Sequence, residues 1–401
     1  MLSAPDRGVS AARTHELYDR VASFDELLLP SDARLAALDR FFSLPSGRER
    51  PGRFWRVDFD SIVPAAGAVT AGAAEVRVEN AAAGVLVCDL ATAAREHREL
   101  FARAFGTTGI GASKFGALAQ AFAGTGLFAY VPADHACDEP LLFHYHAPAG
   151  IAVFPWSVVL AERGARVTVV ERVTSGAHAF VCGATEIVTD ANADVTYAAC
   201  QQTDGTARAI IHRVARPGRD ARLTWALAEL GAELAAGDVR VSIEEPGIDA
   251  QVTALFFPRG SQHVDVVSTV HHRAGEASSE TLVKSAARER GQARFLGNIR
   301  IERNAQGSDA RLRDDALLLS PTAHVDSVPA LEIAANDVKA YHGATIGAID
   351  AEQIFYMQSR GIDVSAAERM IALGFFEPAI ERFPSARLRD DIRSDLSEKL
   401  V

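Results

Sequence analysis

The sequence predicts a mainly β protein whose centre is a parallel β-helix, a solenoid of stacked strands, with a helix-rich N-terminal α/β region before it and a C-terminal α-helical region after it. Three observations predict this class. From about residue 125 to 335, short runs such as ARVTVVERV, ADVTYAAC, VRVSIEE and HVDVVSTVHH are rich in β-branched residues, with no long helical segment between them. A phrase also recurs there: a glycine, then a small or acidic residue, Arg or Gln, and an apolar residue. It stands at Gly164, Gly205, Gly218, Gly247, Gly291 and Gly307, separated by 41, 13, 29, 44 and 16 residues. These steps approximate multiples of a unit of ~14 residues, one turn plus one strand. The third observation is helical periodicity on both flanks. A sandwich of antiparallel strands competes for the same runs, and the near-regular spacing favours the solenoid.

Three regions follow, residues 1–124, 125–335 and 336–401. In the first, HELYDRVASFDELLL and SDARLAALDRFFSL place apolar residues three and four apart, with Ser31 as N-cap of the second helix. SLPSGRERPGRFW breaks the pattern, VRVENAAAGVLVCDL reads as one or two strands, and ATAAREHRELFARAFG returns to helix. In the last region Asp350 with Gln353 forms a capping box for AEQIFYMQSR, and Gly361 suits a left-handed stop. Ser365 with Glu368 repeats the box for a helix whose apolar side is Met370, Ile371, Phe375, Phe376 and Ile380, interrupted near Pro378. Leu388, Ile392, Leu396 and Leu400 then recur every four residues. Such helices either cap the solenoid or present a surface to a partner.

Composition narrows the function. The 401 residues, 48% hydrophobic, suffice for a large core, and 41 Lys plus Arg against 52 Asp plus Glu give a net charge of −11. With no basic cluster, a nucleic-acid partner is not expected. The opening MLSAPDRGVSAARTHEL lacks an apolar signal segment, and no run approaches the about 18 to 20 apolar residues that span a bilayer, so the expectation is a cytoplasmic protein. Cys88, Cys137, Cys182 and Cys200 lie 49, 45 and 18 positions apart, without a CxxC pair, and read as free thiols.

Candidate chemistry is sparse. GTTGIGASKFG, residues 106–116, fails as a phosphate loop because Gly111 is followed by Ala112 rather than Lys, and Lys114 stands where a dinucleotide fold needs its third glycine. His144 and His146 in FHYHAP share one face of a strand at metal-binding range, with no third ligand fixed, whereas His271 and His272 face opposite ways. The adjacent pairs Asp314–Asp315 and Glu244–Glu245 point apart, and 7% aromatic content supplies few sugar-stacking platforms for a carbohydrate-active β-helix enzyme, the enzymatic alternative. His342 sits between Tyr341 and Gly343 in NDVKAYHGATIGAID. A catalytic base, a metal ligand and a packed turn residue are all open there.

NDVKAYHGATIGAIDAEQIFYMQSRGI, residues 336–362, resembles the C-terminal signature of the SufB/SufD family of iron-sulfur cluster assembly proteins, on its SufD side. RLRDDALLLSPTAHVDSVPALEI, residues 311–333, and HAFVCGATEIVTDANADVTY resemble the family's preceding and mid-core segments, and LPSGRERPGRFWRVDF is loosely similar to its Trp-Arg-Tyr region. The resemblance, covering roughly residues 110–380, implies a right-handed parallel β-helix core and a non-catalytic scaffold. It further implies pairing with SufB through the β-helices and binding of the SufC ATPase by the C-terminal helices, where Phe355, Tyr356, Arg360, Met370, Phe375 and Phe376 would meet it. The chain alone would hold no cofactor, and ATP chemistry would belong to SufC. A transient iron-sulfur cluster would form at the junction with SufB. In the family's Cys-Ser-His-Gly-Ala-Thr phrase the histidine matches His342, an implied cluster or iron ligand, and the cysteine matches Ala340, so SufB would supply the remaining ligands. SufB itself carries a glutamate where this chain has Gly343, and a cysteine where VRVSIEEPG offers Val241 and Ser242. A divergent relative without a cluster role, and a homodimer in the absence of SufB, are the alternatives within the family.

Overall fold

Along each core strand the side chains alternate between two destinations. In the strand Asp194–Gln202, Val195, Tyr197 and Ala199 enter an interior cluster, while Ala198 and Cys200 pack on the opposite side. The computed structural model describes residues 11–24, 27–44, 57, 63–70, 73–80 and 83–400. Successive strands are dealt alternately to a nine-stranded and a ten-stranded sheet, a β-solenoid of about eight turns. From Leu141–Ala147 onward neighbours in each sheet are parallel, which removes the sandwich alternative. Arg166, Asp194, Arg222, Asp249, Ser278 and Asp309 stand in line on one sheet, 28, 28, 27, 29 and 31 residues apart. A full turn is therefore two strand-plus-bend units.

One corner of each turn is closed by a left-handed residue. Asp134, Gly164, Asn192, Asp220, Gly247, Glu276 and Gly307 all have φ between 53° and 76°. Their N–H groups keep the ladder running around the bend: Gly164 donates to Ala191 O at 3.0 Å, Asn192 to Arg219 O at 2.8 Å and Asp220 to Pro246 O at 3.1 Å. At Gly247, with φ of +76°, any other residue would be strained, and a Cβ would fall 1.8 Å from Asp220 Oδ1, so the Asp220 side chain would have to shift.

Three apolar clusters follow from this geometry. The first fills the solenoid from Leu127 to Leu312, with a hydroxyl-lined exception: Glu171 accepts from Ser157 Oγ at 2.6 Å and Tyr197 OH at 2.7 Å. N-terminal helices cover the outside of the ten-stranded sheet with Leu17, Leu38, Phe41 and Phe115 against Cys182, Ile210 and Val214. C-terminal helices cover the outside of the other sheet with Phe376, Ile380, Leu388, Ile392 and Leu396 against Ala198, Leu255 and Leu282. They lie along the flank, so they cap neither end of the solenoid.

Local details depart from the sequence signals. The helix Ser31–Ser43 is entered at Pro30 with no side-chain cap, while Asp32 Oδ1 accepts from Ala33 N at 2.8 Å. Residues 75–89 form two strands, Glu75–Glu79 and Leu86–Asp89, which add antiparallel to the first strand of each sheet. Asp350 caps the helix Ala351–Ser359 as expected, with φ of +84° at Gly361. The helix Val364–Ile380 is capped by Asp363, whose Oδ1 accepts from Ala366 N at 3.0 Å, which displaces the Ser365–Glu368 box. Pro378 lies within its last turn, where it offers no N–H to the carbonyl of residue 374. SLPSGRERPGRFW and LPSGRERPGRFWRVDF lie, apart from Ser43, Leu44 and Val57, outside the described residues, as do residues 1–10.

The glycine-rich stretch 106–116 binds a carboxylate that the chain itself supplies. Glu186, projecting from the outer side of the ten-stranded sheet, accepts from Gly106 N at 2.7 Å, Thr108 N at 3.2 Å, Thr108 Oγ1 at 2.6 Å and Trp156 Nε1 at 3.0 Å. Burial raises its pKa, and these donors oppose the rise. Glu186→Ala strands the Trp156 N–H and the loop amides, with an expected cost of about 3 kcal/mol. A melting curve together with limited proteolysis of the loop checks this, and Glu186→Gln should lose less; an unchanged melting temperature in the alanine variant would contradict the clamp.

Candidate functional site

The two ends of the solenoid are finished differently. At the start, the edge strand Glu75–Glu79 alternates charge, with Glu75, Arg77 and Glu79 on one face. Charged edges discourage strand addition. At the far end the strands His324–Ile333 and Val338–Ala348 are, among the described residues, each paired on one side only, with Gln292–Ile301 and Ser308–Leu318. Val328, Ile333, Tyr341 and Ile346 are exposed there. Pro329 breaks the donor pattern of one edge, and the other has no proline.

His342 belongs to this open end. The stretch around it is strand rather than the glycine-rich turn that its small residues suggest, and strand pairing runs on to Ala348 before the helices begin. Leu312 pairs with His342 and Asp314 with Ala344, and in a parallel ladder paired residues share a face. Leu312 belongs to the interior cluster and Ala340 packs against it, so His342 occupies the inward file of the last turn, exposed only because no further turn covers it. Ala340, at the position where a thiolate would stand, brings no donor.

Asp314 lies behind it on the same file. The side chain is 1% exposed; Oδ2 accepts from Ser327 Oγ on the opposite terminal strand, and Oδ1 has no partner. Asp315 faces outward to Lys284 Nζ and Arg313 Nε, each at 2.8 Å. Burial pushes the Asp314 carboxyl from 3.8 up to about 7.

The residues expected at a partner surface divide into two groups. Phe355, Tyr356 and Met370 are exposed, and Arg360 stacks over the Tyr356 ring at 5.2 Å. None of the helix Ala351–Ser359 is buried. Phe375 is half-buried beneath Lys284 Nζ, 4.5 Å from its ring, and Phe376 is fully buried beside Phe257. Phe376 therefore holds the helix to the solenoid flank, and only the first four remain available. Docking of the last helix adds Lys399 Nζ to Leu230 O at 2.7 Å and Arg259 Nη1 to Lys399 O at 3.2 Å.

The other sequence candidates stay dispersed. His146 Nδ1 meets Thr174 Oγ1 at 2.9 Å, and burial holds the His144 ring below its ordinary pKa. Among the described residues no group of three or more His, Cys, Asp or Glu could hold a metal ion. Cys182 and Cys200 are buried, Cys88 and Cys137 half-buried, and all four are free. His271 turns to Glu302 and His272 to Ser279. Glu244 and Glu245 lie beyond the end of their strand, engaged by Arg273 and by Arg219 N, and form no facing carboxylate pair. In the sequence Asp314 stands out only as half of a DD pair whose members point apart, because its partnerless oxygen arises from burial, which a dipeptide does not signal.

Residues 144–375 match the family model described as SUF system FeS cluster assembly, SufBD core domain. The iron-sulfur cluster assembly protein SufD of Bacillus subtilis is 30% identical over 325 residues, 79% of this chain and 74% of that protein. SufBD family proteins of Staphylococcus saprophyticus and Staphylococcus epidermidis are each 27% identical over 309 residues, 75% of this chain and 66% of theirs.

Asp314 gives the open end a pH signature. Its folded pKa lies above its unfolded one, so its contribution to stability is full below pH 4 and is lost as pH rises through about 7. Asp314→Asn should flatten the fall in melting temperature between pH 5 and 8 and gain on the order of 2–4 kcal/mol at the upper end. Identical pH profiles for wild type and variant would rule out Asp314 as the group responsible.

Proposed function

This chain belongs to the SufBD family of SUF-system iron-sulfur cluster assembly proteins, and we infer that it is the SufD-type scaffold, pairing with SufB at the open end of its solenoid and carrying SufC on its C-terminal helices. The observation that carries the inference is the unpaired, apolar edge of the last turn with His342 on its inward file. A strand edge offers a partner main-chain donors and acceptors in register, and Tyr341 and Ile346 add apolar area beside them. His342 then lies where a cluster assembled between the two chains is within reach of its imidazole, with the remaining ligands from SufB. Iron and sulfide are cargo in this reading.

A non-catalytic role fits the glycine loop, whose amides are occupied by Glu186, so that ATP turnover falls to SufC. In this proposal residues 1–124 give lateral support and the first edge strands, residues 125–335 most of the solenoid, and residues 336–401 its last strand, Val338–Ala348, followed by the helices that attach the ATPase. A cytoplasmic location accords with the finding that, among the described residues, no helix is long and apolar enough to cross a membrane.

Two experiments test it. In the assembled complex His342→Ala should reduce cluster yield and leave the melting temperature within about 1 °C, because an exposed ring contributes little packing. A lowered melting temperature with normal cluster yield would refute the ligand role. Phe355→Asp with Met370→Asp should weaken SufC binding about a hundredfold, from loss of ~1.5 kcal/mol or more per side chain, without unfolding the chain. Phe376→Ala should instead cost stability, about 3 to 5 kcal/mol. Undiminished calorimetric binding of SufC by the double variant would move its site elsewhere.

A further inference from the structure

Asp314 has one carboxyl oxygen accounted for and one not. Oδ2 accepts from Ser327 Oγ, and Oδ1 is sealed from water without a donor. The cations of this stretch are on the other face of the strand, where Lys284 and Arg313 serve Asp315. A buried carboxyl without a compensating cation is costly to keep, and a metal ion removes that cost as a lysine would. His342 is its neighbour on the inward file, one strand over and two residues along. The spacing of strands and the rise per residue put the two Cα atoms about 8 Å apart, within which an imidazole and a carboxylate can share one ion. Ala340 and Ala344, on either side of His342 along the file, add no bulky or charged side chain.

We propose that Asp314 is the second donor this chain offers, making with His342 a histidine–carboxylate site for ferrous iron or a similar divalent cation at the mouth of the solenoid. Water or the partner chain completes the coordination. The proposal rests on His342 being an iron ligand. It adds that the interior of this chain, and not only its exposed tip, contributes to holding iron before sulfide arrives. Imidazole with carboxylate suits Fe(II), and the absence of a thiolate at Ala340 leaves the site without a soft donor from this side.

Cobalt(II) titration of the full chain, followed by its visible d–d absorption and by anaerobic competition with Fe(II), tests the pair. One ion should bind, and Asp314→Asn and His342→Ala should each weaken it at least about a hundredfold, while Ser327→Ala, which removes only the hydrogen bond behind the carboxylate, should cost about tenfold. Asp314→Ser, which also removes the carboxylate, serves as a second variant and should weaken binding likewise. Cobalt binding that survives loss of Asp314 but not of His342 overturns the proposal and leaves the histidine assignment standing; indifference to both substitutions removes both. Loss of binding in Ser327→Ala equal to that in Asp314→Asn would also overturn it, by reducing Asp314 to a tie between the terminal strands. So would a wild-type chain that binds no cobalt at all.

Discussion

Everything in this molecule depends on a left-handed corner repeated once per turn. A chain of L-residues reverses sharply and re-enters parallel register only if one residue accepts a positive φ, at about 1 kcal/mol or more for anything but glycine. Gly164, Gly247 and Gly307 take it freely; Asp134, Asn192, Asp220 and Glu276 take it at a cost that the ladder bonds through their N–H groups offset. Each corner sets the register of the next strand. A slip of one residue would turn Tyr197, Trp225 and Leu312 outward and Arg222 and Arg313 inward. The inward file that ends at His342 is thus fixed by corners far from it.

The same repeat explains what was legible in the sequence. Glycine phrases gave the unit length because three of their six glycines sit at this corner, and the steps between phrases were uneven because Asn, Asp and Glu fill the site elsewhere. Strand propensity and the two flanking helical regions were likewise readable. Tertiary packing was not. NDVKAYHGAT looks like a turn because Gly343 and small residues dominate it, yet pairing with Ser308–Leu318 makes it a strand. Met370 and Phe376 belong to one apolar side in the sequence, and only the sheet beneath Phe376 separates a residue held inside from one left outside. Family resemblance singled out His342. It was silent on Asp314, whose character comes from burial and from the direction in which its neighbour's cations point.

Division of labour among the surfaces follows from where apolar area is already used. Helices cover the outer side of both sheets, the first edge strand is charged, and the far edge and the helix Ala351–Ser359 are left with exposed Tyr341, Ile346, Phe355 and Tyr356. In the proposed reading these surfaces would serve a scaffold as an edge for one partner, a helical face for another, and a donor at the edge. Rigidity comes from the parallel ladders, which run unbroken from the strands beneath the C-terminal helices to the last turn.

Hydrogen–deuterium exchange of the chain with and without SufB tests the central claim most directly. Strands 324–333 and 338–348 carry free main-chain groups on one side only. The account predicts that the amides on their unpaired side exchange readily in the isolated chain and gain protection on complex formation, while the charged edge at 75–79 is unchanged. Protection confined to residues 75–79 or to the flanks, with strands 324–333 and 338–348 exchanging as before, would contradict it.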